Sequence, residues 1–381
     1  MIGLLTLVLV QGWQACAPMP TPGYGFACAA VGSRVYAIGG VVSEVDSTVP
    51  RLAVEAYDAA ADSWITGFAP PPAPKWYSGC AVLDGKIYVI GGTDGSDLSR
   101  VDRFDPATNT WDTVAPLPWP RWALAGCAYA GCIYAIGGFT TALGTYRRAV
   151  ARFTPDSGLG QWTVVESLWT RRTSPATAIA SGKMCAVGGR YYNDLSTFEF
   201  YIPPWWQSSR RMHVARSGAA AVGWGKWLCA IGGQGRYGPL SSVEVVNMES
   251  STDPWQYAAP LSVPRVFCGA AVADSNVVVM GGLGEQGAEA SVEKADSTLF
   301  PWSGIEEPQS QMQVQNAPSW ATVASGRVRI TCRKAMIYDG SGRRVFAGSG
   351  PVDVRLAPGV YFARVTDEGD RLVTGTITVV R

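Results

Sequence analysis

Six Gly-Gly pairs, beginning at Gly39, Gly91, Gly137, Gly188, Gly232 and Gly281, constrain this chain more than anything else in it. They stand 44 to 52 residues apart. Sixteen residues before them stand Gly23, Lys75, Arg121, Arg172, Arg216 and Arg265, with no slip in any of the six units. Three residues before them stand Tyr36, Tyr88, Tyr134, Cys185, Cys229 and Val278. Tryptophans keep the same step at Trp13, Trp64, Trp111, Trp162, Trp205 or Trp206, Trp255 and Trp302. Between cation and glycines lie two short apolar runs joined by a turn, clearest in RWALAGCAYAGCIYAIGG (Arg121–Gly138). Insertions therefore fall elsewhere in the unit.

A period near 50 with about four strands per unit predicts a β-propeller blade. One unit is too small to bury both faces of its sheet, so neighbours must stack. Gly-Gly permits positive φ or close backbone approach where a strand ends. The large aromatic rings fill the wedge between blades, and closing the ring removes exposed sheet edges. Seven tryptophan steps against six glycine pairs suggest the closure: Trp13–Met19 is expected to pair into the blade of Gly281 and join the two ends.

The pattern of tryptophan, Pro-rich turn, arginine, apolar strand and Tyr-x-Ile-Gly-Gly resembles the kelch-repeat family. It is best preserved from Trp64 through PPAPKWYSGCAVLDGKIYVIGG and from Trp111 through PLPWPRWALAGCAYAGCIYAIGG. Units four to six depart from it: Tyr is lost before their Gly-Gly pairs, and Pro before Arg172 and Arg216. The resemblance implies an all-β fold, a six-bladed kelch-type propeller over residues 13–302.

Composition agrees with an all-β chain rich in turns: 44 glycines and 15 tryptophans in 381 residues, with 16% charged. Lys and Arg number 31 against 30 Asp and Glu, so no global basic field exists and nucleic acid is not the expected partner. Met1–Val10 is apolar but too short to span a bilayer, so residues 1–12 read as a signal peptide, although no basic segment precedes the apolar run. No transmembrane helix is expected. The nine cysteines form no CxxC pair, and their strand positions favour small buried core residues over a disulfide framework.

After Trp302 the repeat signal stops. Residues 303–320 are polar and Gln-rich and read as a linker. Residues 321–381 show short strands separated by DGSG and APG turns, a small C-terminal β-sandwich. MIYDGSGRRV (Met336–Val345), LAPGVYFARV (Leu356–Val365) and a last strand ending in Arg381 resemble the C-terminal sorting domains of proteins exported by the type IX secretion system. That resemblance implies the secretion machinery as a partner and a secreted or bacterial cell-surface location.

A parity argument selects one face as the candidate site. In an antiparallel blade the second strand returns, so its Gly-Gly end lies where the first strand began. The residues before the innermost strands, Lys75, Arg121, Arg172, Arg216 and Arg265, are therefore expected to ring the channel mouth, with Gly23 breaking the ring. Trp76, Trp122 and Tyr24 follow this position. The adjoining loops bring Asp94, Asp97, Tyr146, Arg190, Tyr191, Tyr192, Arg236, Tyr237 and Glu285. Guanidiniums suit carboxylates, and aromatic faces suit sugars or peptide side chains. The expected function is recognition of a protein or acidic-glycan ligand. The repeated arginines have a second reading, as hydrogen-bond donors to loop carbonyls between blades. The irregular Arg190, Tyr191, Arg236 and Tyr237 are better site candidates, because the fold does not require them.

Catalysis has weaker support. His213 is the only histidine, too few imidazoles for a copper centre, and it has no evident cysteine partner. TPDSGLGQW (Thr154–Trp162) reads as a turn, and DGSD (Asp94–Asp97) as a solvated turn rather than a calcium loop. No cofactor and no metal are expected. Two alternatives stay open: an acidic-sugar isomerase or mutarotase using Arg172 or Arg265 with Glu285, and a purely structural surface protein.

Overall fold

The computed structural model describes residues 12–42, 49–155, 158–208 and 210–296, together with the strands of 321–379. The expected signal peptide, apart from residue 12, the linker and Trp302 lie outside the described residues.

The described residues between 12 and 296 form six four-stranded antiparallel sheets arranged as a six-bladed β-propeller. Blade one comprises Ala27–Val31, Arg34–Ile38, Val54–Asp58 and Ser63–Ile65. Blade three comprises Ala125–Tyr129, Cys132–Ile136, Val150–Thr154 and Gln161–Val165. Blades two, four and five follow the same order. The six first strands pack against one another in a closed circle and are the innermost. Each second strand is fully buried over its last four residues, as in Ile87–Ile90 and Leu228–Ile231. Sheet-on-sheet burial on both faces explains why these runs are continuously apolar rather than alternating.

Blade six is built from both ends of the propeller. Gly269–Ala273, Asn276–Met280 and Val292–Ala295 supply three strands, and Gln14–Cys16 supplies the fourth. Ala15 lies opposite Glu293 in that pairing. The predicted closure by Trp13–Met19 is thus what the structure builds. Asp62 of blade one fixes the exit of this strand, accepting the Ala17 N–H at 2.8 Å and the Tyr57 hydroxyl at 2.7 Å.

Two rings of hydrogen bonds tie neighbouring blades. The tryptophan indoles make the first: Trp13 to Ala259 O, Trp64 to Ala17 O, Trp111 to Ala69 O, Trp162 to Ala115 O, Trp206 to Glu166 O and Trp255 to Arg210 O. Of the two candidates in blade four, Trp206 is the member of the repeat; Trp205 points to solvent. The Gly-Gly pairs make the second. The second glycine of each pair donates its N–H to the carbonyl of the residue sixteen before the next pair, as in Gly138 to Arg172 and Gly282 to Gly23. Both glycines have positive φ, and a Cβ on Gly137 would sit 2.4 Å from the Arg172 carbonyl oxygen. Glycine is required there by conformation and by space together.

In residues 321–379 the strands pair as a three-stranded sheet (Ala321–Ala324, Arg327–Ile330, Val352–Arg355) and a four-stranded sheet (Arg344–Ser349, Lys334–Asp339, Gly359–Thr366, Leu372–Val379). Among the described residues no helix is long and apolar enough to cross a membrane.

Candidate functional site

The residue after each repeated cation bridges the residue after its own unit's Gly-Gly pair: Trp76 to Thr93, Trp122 to Phe139, Thr173 to Arg190 and Ser217 to Gln234. Cations and Gly-Gly ends therefore share one face, as the strand parity requires.

The cations themselves do not line an open mouth. Arg121, Arg172, Arg216 and Arg265 are at most 1% exposed, and Lys75 is 3% exposed. Each arginine sends Nη1 to the first carbonyl of its own Gly-Gly pair, sixteen residues on: Gly137, Gly188, Gly232 and Gly281 at 2.6–2.9 Å. In these four units that bond spans the offset of sixteen. Three of them also meet a buried carboxylate through Nη2: Arg172 with Glu199, Arg216 with Glu244, and Arg265 with Glu293, at 2.6–2.8 Å. Lys75 pairs with Asp102 at 2.8 Å and reaches the carbonyls of Val89 and Arg100. Burial lowers the Lys75 ammonium to about 8. These groups lock strands to loops, so the second of the two readings of the repeated arginines is the one the structure supports.

Gly23 leaves no gap. Arg51, from the insertion of unit one, brings its guanidinium into the same place from a different point in the chain. Its Nη1 bonds the carbonyls of Ala37, Gly39 and Ala53, and its Nη2 pairs with Glu55. A Cβ on Gly23 would sit 3.0 Å from Arg51 Cδ, so the small residue at 23 makes room for the side chain from 51. The signal missed in the sequence was the pairing of a glycine in a cationic register with an arginine four residues before an acid.

The mouth is drawn together by main chain. Gly25, Tyr77, Ala123, Ser174, Gly218 and Phe267 occupy the second position after each repeated cation, and all have φ of 48–63°. Each donates its N–H to the carbonyl of the preceding member, Gly25 closing the circle onto Phe267, at 2.7–3.0 Å. Left-handed backbone at four non-glycine residues costs energy. The six hydrogen bonds around the axis offset that cost. Below this ring the first strands approach closely: a Cβ on Gly126 would lie 2.6 Å from the Cys80 main chain.

Exposed chemistry on this face lies in the loops. Tyr192 is 69% exposed, Tyr237 71% and Tyr191 36%, and Arg190 and Arg236 are exposed. The Arg236 guanidinium stands over the Tyr237 ring at 5.4 Å. Tyr191, Tyr192 and Tyr146 pack together with ring centroids 4.7–5.6 Å apart. From Tyr146 the aromatic contacts continue through Phe139 and Trp122 to Tyr77 and Phe267 at the mouth, at 4.7–5.8 Å. Arg171 donates to the Tyr146 carbonyl. Asp97 is held by the main-chain N–H and hydroxyl of Thr141. Asp94 and Glu285 are exposed. The pairing of Glu285 with Arg172 or Arg265 is not made, since both arginines are bonded to Glu199 and Glu293 instead.

His213 stacks on Tyr257, and its Nε2 lies 2.5 Å from the Trp255 carbonyl oxygen, a structural placement. Among the described residues no group of three or more His, Cys, Asp or Glu is arranged to hold a metal. The eight described cysteines are free. Burial raises the thiols of Cys80 and Cys127 to about 12 and that of Cys268 to about 11, which makes them inert packing.

A kelch motif model matches residues 77–118. The chain is 27% identical over 277 residues to the Kelch-like protein terF of Aspergillus terreus, covering 67% of this chain and 60% of that one. It is 27% identical over 325 residues to Kelch-like protein 35 of Mus musculus, covering 82% of this chain and 44% of the relative. It thus spans less than two thirds of the length of these relatives. Among solved structures, one described as "Structure of YjhT" superposes with a TM-score of 0.62 at 15% identity, covering 73% of this chain and 95% of that one. This likeness concerns the fold alone. Repeat, blade geometry and motif agree: the chain is a six-bladed β-propeller that carries the kelch motif.

Proposed function

We propose that this propeller is a protein-binding module that holds an acidic segment of its partner on the face where the Gly-Gly pairs end. The observation that carries the reading is the exposure of Arg190, Tyr191 and Tyr192 on the loop of blade four and of Arg236 and Tyr237 on that of blade five, loops outside the repeated strand framework. Tyrosine and arginine dominate protein interfaces because they offer large contact area with polar ends. The packed rings of Tyr146, Tyr191 and Tyr192 give a stiff apolar platform, and the neighbouring guanidiniums favour carboxylates on the partner. The buried ring of cations plays no direct part, being committed to carbonyls and carboxylates.

The test is an array of acidic and neutral peptides beside acidic glycans, probed with the full chain and with Tyr191→Ala/Tyr192→Ala and Arg190→Glu/Arg236→Glu variants. Salt-sensitive binding to acidic peptides, lost in the folded variants, is expected. Binding confined to glycans, or untouched by both variants, overturns the reading.

The localisation proposal rests on the tail. We propose that residues 321–381 form a β-sandwich sorting domain that directs the protein out of the cell behind a signal peptide. The motifs at Met336–Val345 and Leu356–Val365 support it, as do the two sheets into which the tail strands pair. Expression with and without residues 321–381 in a bacterium with type IX export should place only the full chain outside. Equal export of both forms overturns it.

A further inference from the structure

Five blades neutralise their buried cation with a carboxylate on the third strand, and blade three does not. The acids are Glu55, Asp102, Glu199, Glu244 and Glu293. In strand register they lie opposite Ala37, Val89, Ala186, Ala230 and Val279. In blade three the corresponding residue opposite Ala135 is Ala151. Arg121 is 1% exposed, and its hydrogen bonds all go to carbonyls, those of Gly137, Ala149 and Ala135 at 2.9–3.2 Å. Blades four to six also supply a hydroxyl two residues before the acid, at Thr197, Ser242 and Ser291, which Nη2 bonds. Blade three has Ala149 there. Two polar side chains are thus replaced by methyl groups beside a buried guanidinium.

The neighbouring blades show what the missing carboxylate would touch. Glu199 accepts the main-chain N–H groups of Trp169 and Thr170 besides Arg172 Nη2. Glu244 accepts those of His213 and Val214 besides Arg216 Nη2. The equivalent residues in blade three are Pro118, which has no N–H, and Trp119, which keeps one. A second cation is added: Arg147 stands where blades two, four and five have Leu98, Leu195 and Leu240, the residues whose carbonyls take the main-chain N–H of the next repeated arginine. The Arg147 guanidinium bonds Thr140 Oγ1 through Nε at 3.0 Å and lies over the Trp119 ring at 5.9 Å. Arg147 and Trp119 are half-buried, so both side chains reach solvent. Burial and the Arg147 charge together pull the Arg121 guanidinium down to about 10. A buried cation with a cationic neighbour and no acid is an unbalanced arrangement that a ligand can complete.

We propose that blade three binds a small carboxylate anion, of formate or acetate size, between Arg121 Nη2, the Arg147 guanidinium and the Trp119 N–H. It takes the position that the Glu199 and Glu244 carboxylates hold in the next two blades. The site is independent of whatever the tyrosine loops bind.

The experiment is thermal melting of the full chain in sodium formate or acetate against sodium chloride at equal ionic strength, with the Ala151→Glu variant beside it. Formate is expected to raise the melting temperature saturably, by about 2 °C or more near saturation. Ala151→Glu carries its own carboxylate, so it should melt higher in chloride and lose the formate response. Ala151 is fully buried; should the variant not fold, ¹³C-formate line broadening by the native chain and by Arg147→Gln decides the matter. Broadening by the native chain, several-fold weaker with Arg147→Gln, supports the site. Equal melting in formate and chloride without broadening overturns it, as does a formate effect that both variants leave unchanged. Equal stabilisation by chloride and formate overturns the choice of a carboxylate.

Discussion

The indole N–H of Trp13 donates to the carbonyl of Ala259 at 2.7 Å across 246 residues of chain. It completes a circle of six such bonds, each joining a blade to the turn of its neighbour. Tryptophan recurs at this step because its ring fills the wedge between sheets while its single donor reaches a carbonyl that would otherwise be left unpaired. Replacing any one with phenylalanine keeps most of the packing and removes the donor. Trp13→Phe and Trp111→Phe are each expected to cost about 1 kcal/mol in urea unfolding. Trp255→Ala, at a residue 1% exposed, should cost about 3–5 kcal/mol.

The Gly-Gly pairs predict a contrast within one residue type. Gly137 has φ of 63°, and a Cβ there meets the Arg172 carbonyl oxygen at 2.4 Å. Gly182 has φ of 67° with nothing within 4 Å of its Cβ. Gly182→Ala is expected to cost about 1 kcal/mol, the left-handed penalty alone. Gly137→Ala should cost at least about 3 kcal/mol, because two blades must separate. Equal melting shifts for the two would show that backbone conformation, not blade contact, fixes the glycines.

The buried ion pairs should behave as coupled units. Removing one partner leaves a charge without a counterion, so Arg216→Met is expected to cost about 3–5 kcal/mol. Glu244 also holds the N–H groups of His213 and Val214, so Glu244→Met should cost no less. The double variant should lose less than the sum of the two, and a double-mutant cycle in urea measures the difference. Strict additivity would mean that the pair carries no coupling.

Lys75 gives a pH dependence of definite sign. Its ammonium is lowered to about 8 by burial, while an unfolded lysine titrates near 10.4. Between these values the unfolded chain binds a proton that the folded chain has released. Stability from this residue therefore rises with pH across about 8 to 10.4 and is flat below 8, where both states carry the proton. Lys75→Met should flatten that part of the profile, read as the urea midpoint at a series of pH values. An unchanged slope would assign the rise to other groups.

Much of this architecture is legible in the sequence because it is repeated. A step near 50 residues, two apolar runs and a Gly-Gly end determine an all-β blade, and six copies with a seventh tryptophan step determine a ring closed by its own N-terminal strand. The invariant offset of sixteen was visible too, but the bond that spans it was not. An arginine at a strand entrance reads equally as a ligand clamp or as a structural donor, and only burial against Gly137, Gly188, Gly232 and Gly281 decides between them. Arg51 shows the limit most plainly. It fills the place of an absent side chain at Gly23 from 28 residues further along the chain, a substitution that exists in space and not in register. The ring of left-handed residues at the mouth was equally hidden, since Tyr77, Ala123, Ser174 and Phe267 have no common chemistry. Their φ is imposed by the cyclic hydrogen bonding of six neighbours. Local periodicity determines which strands form. Which of the repeated charges face a ligand and which are consumed by the scaffold depends on the closing of the ring, because burial is a property of the assembled blades.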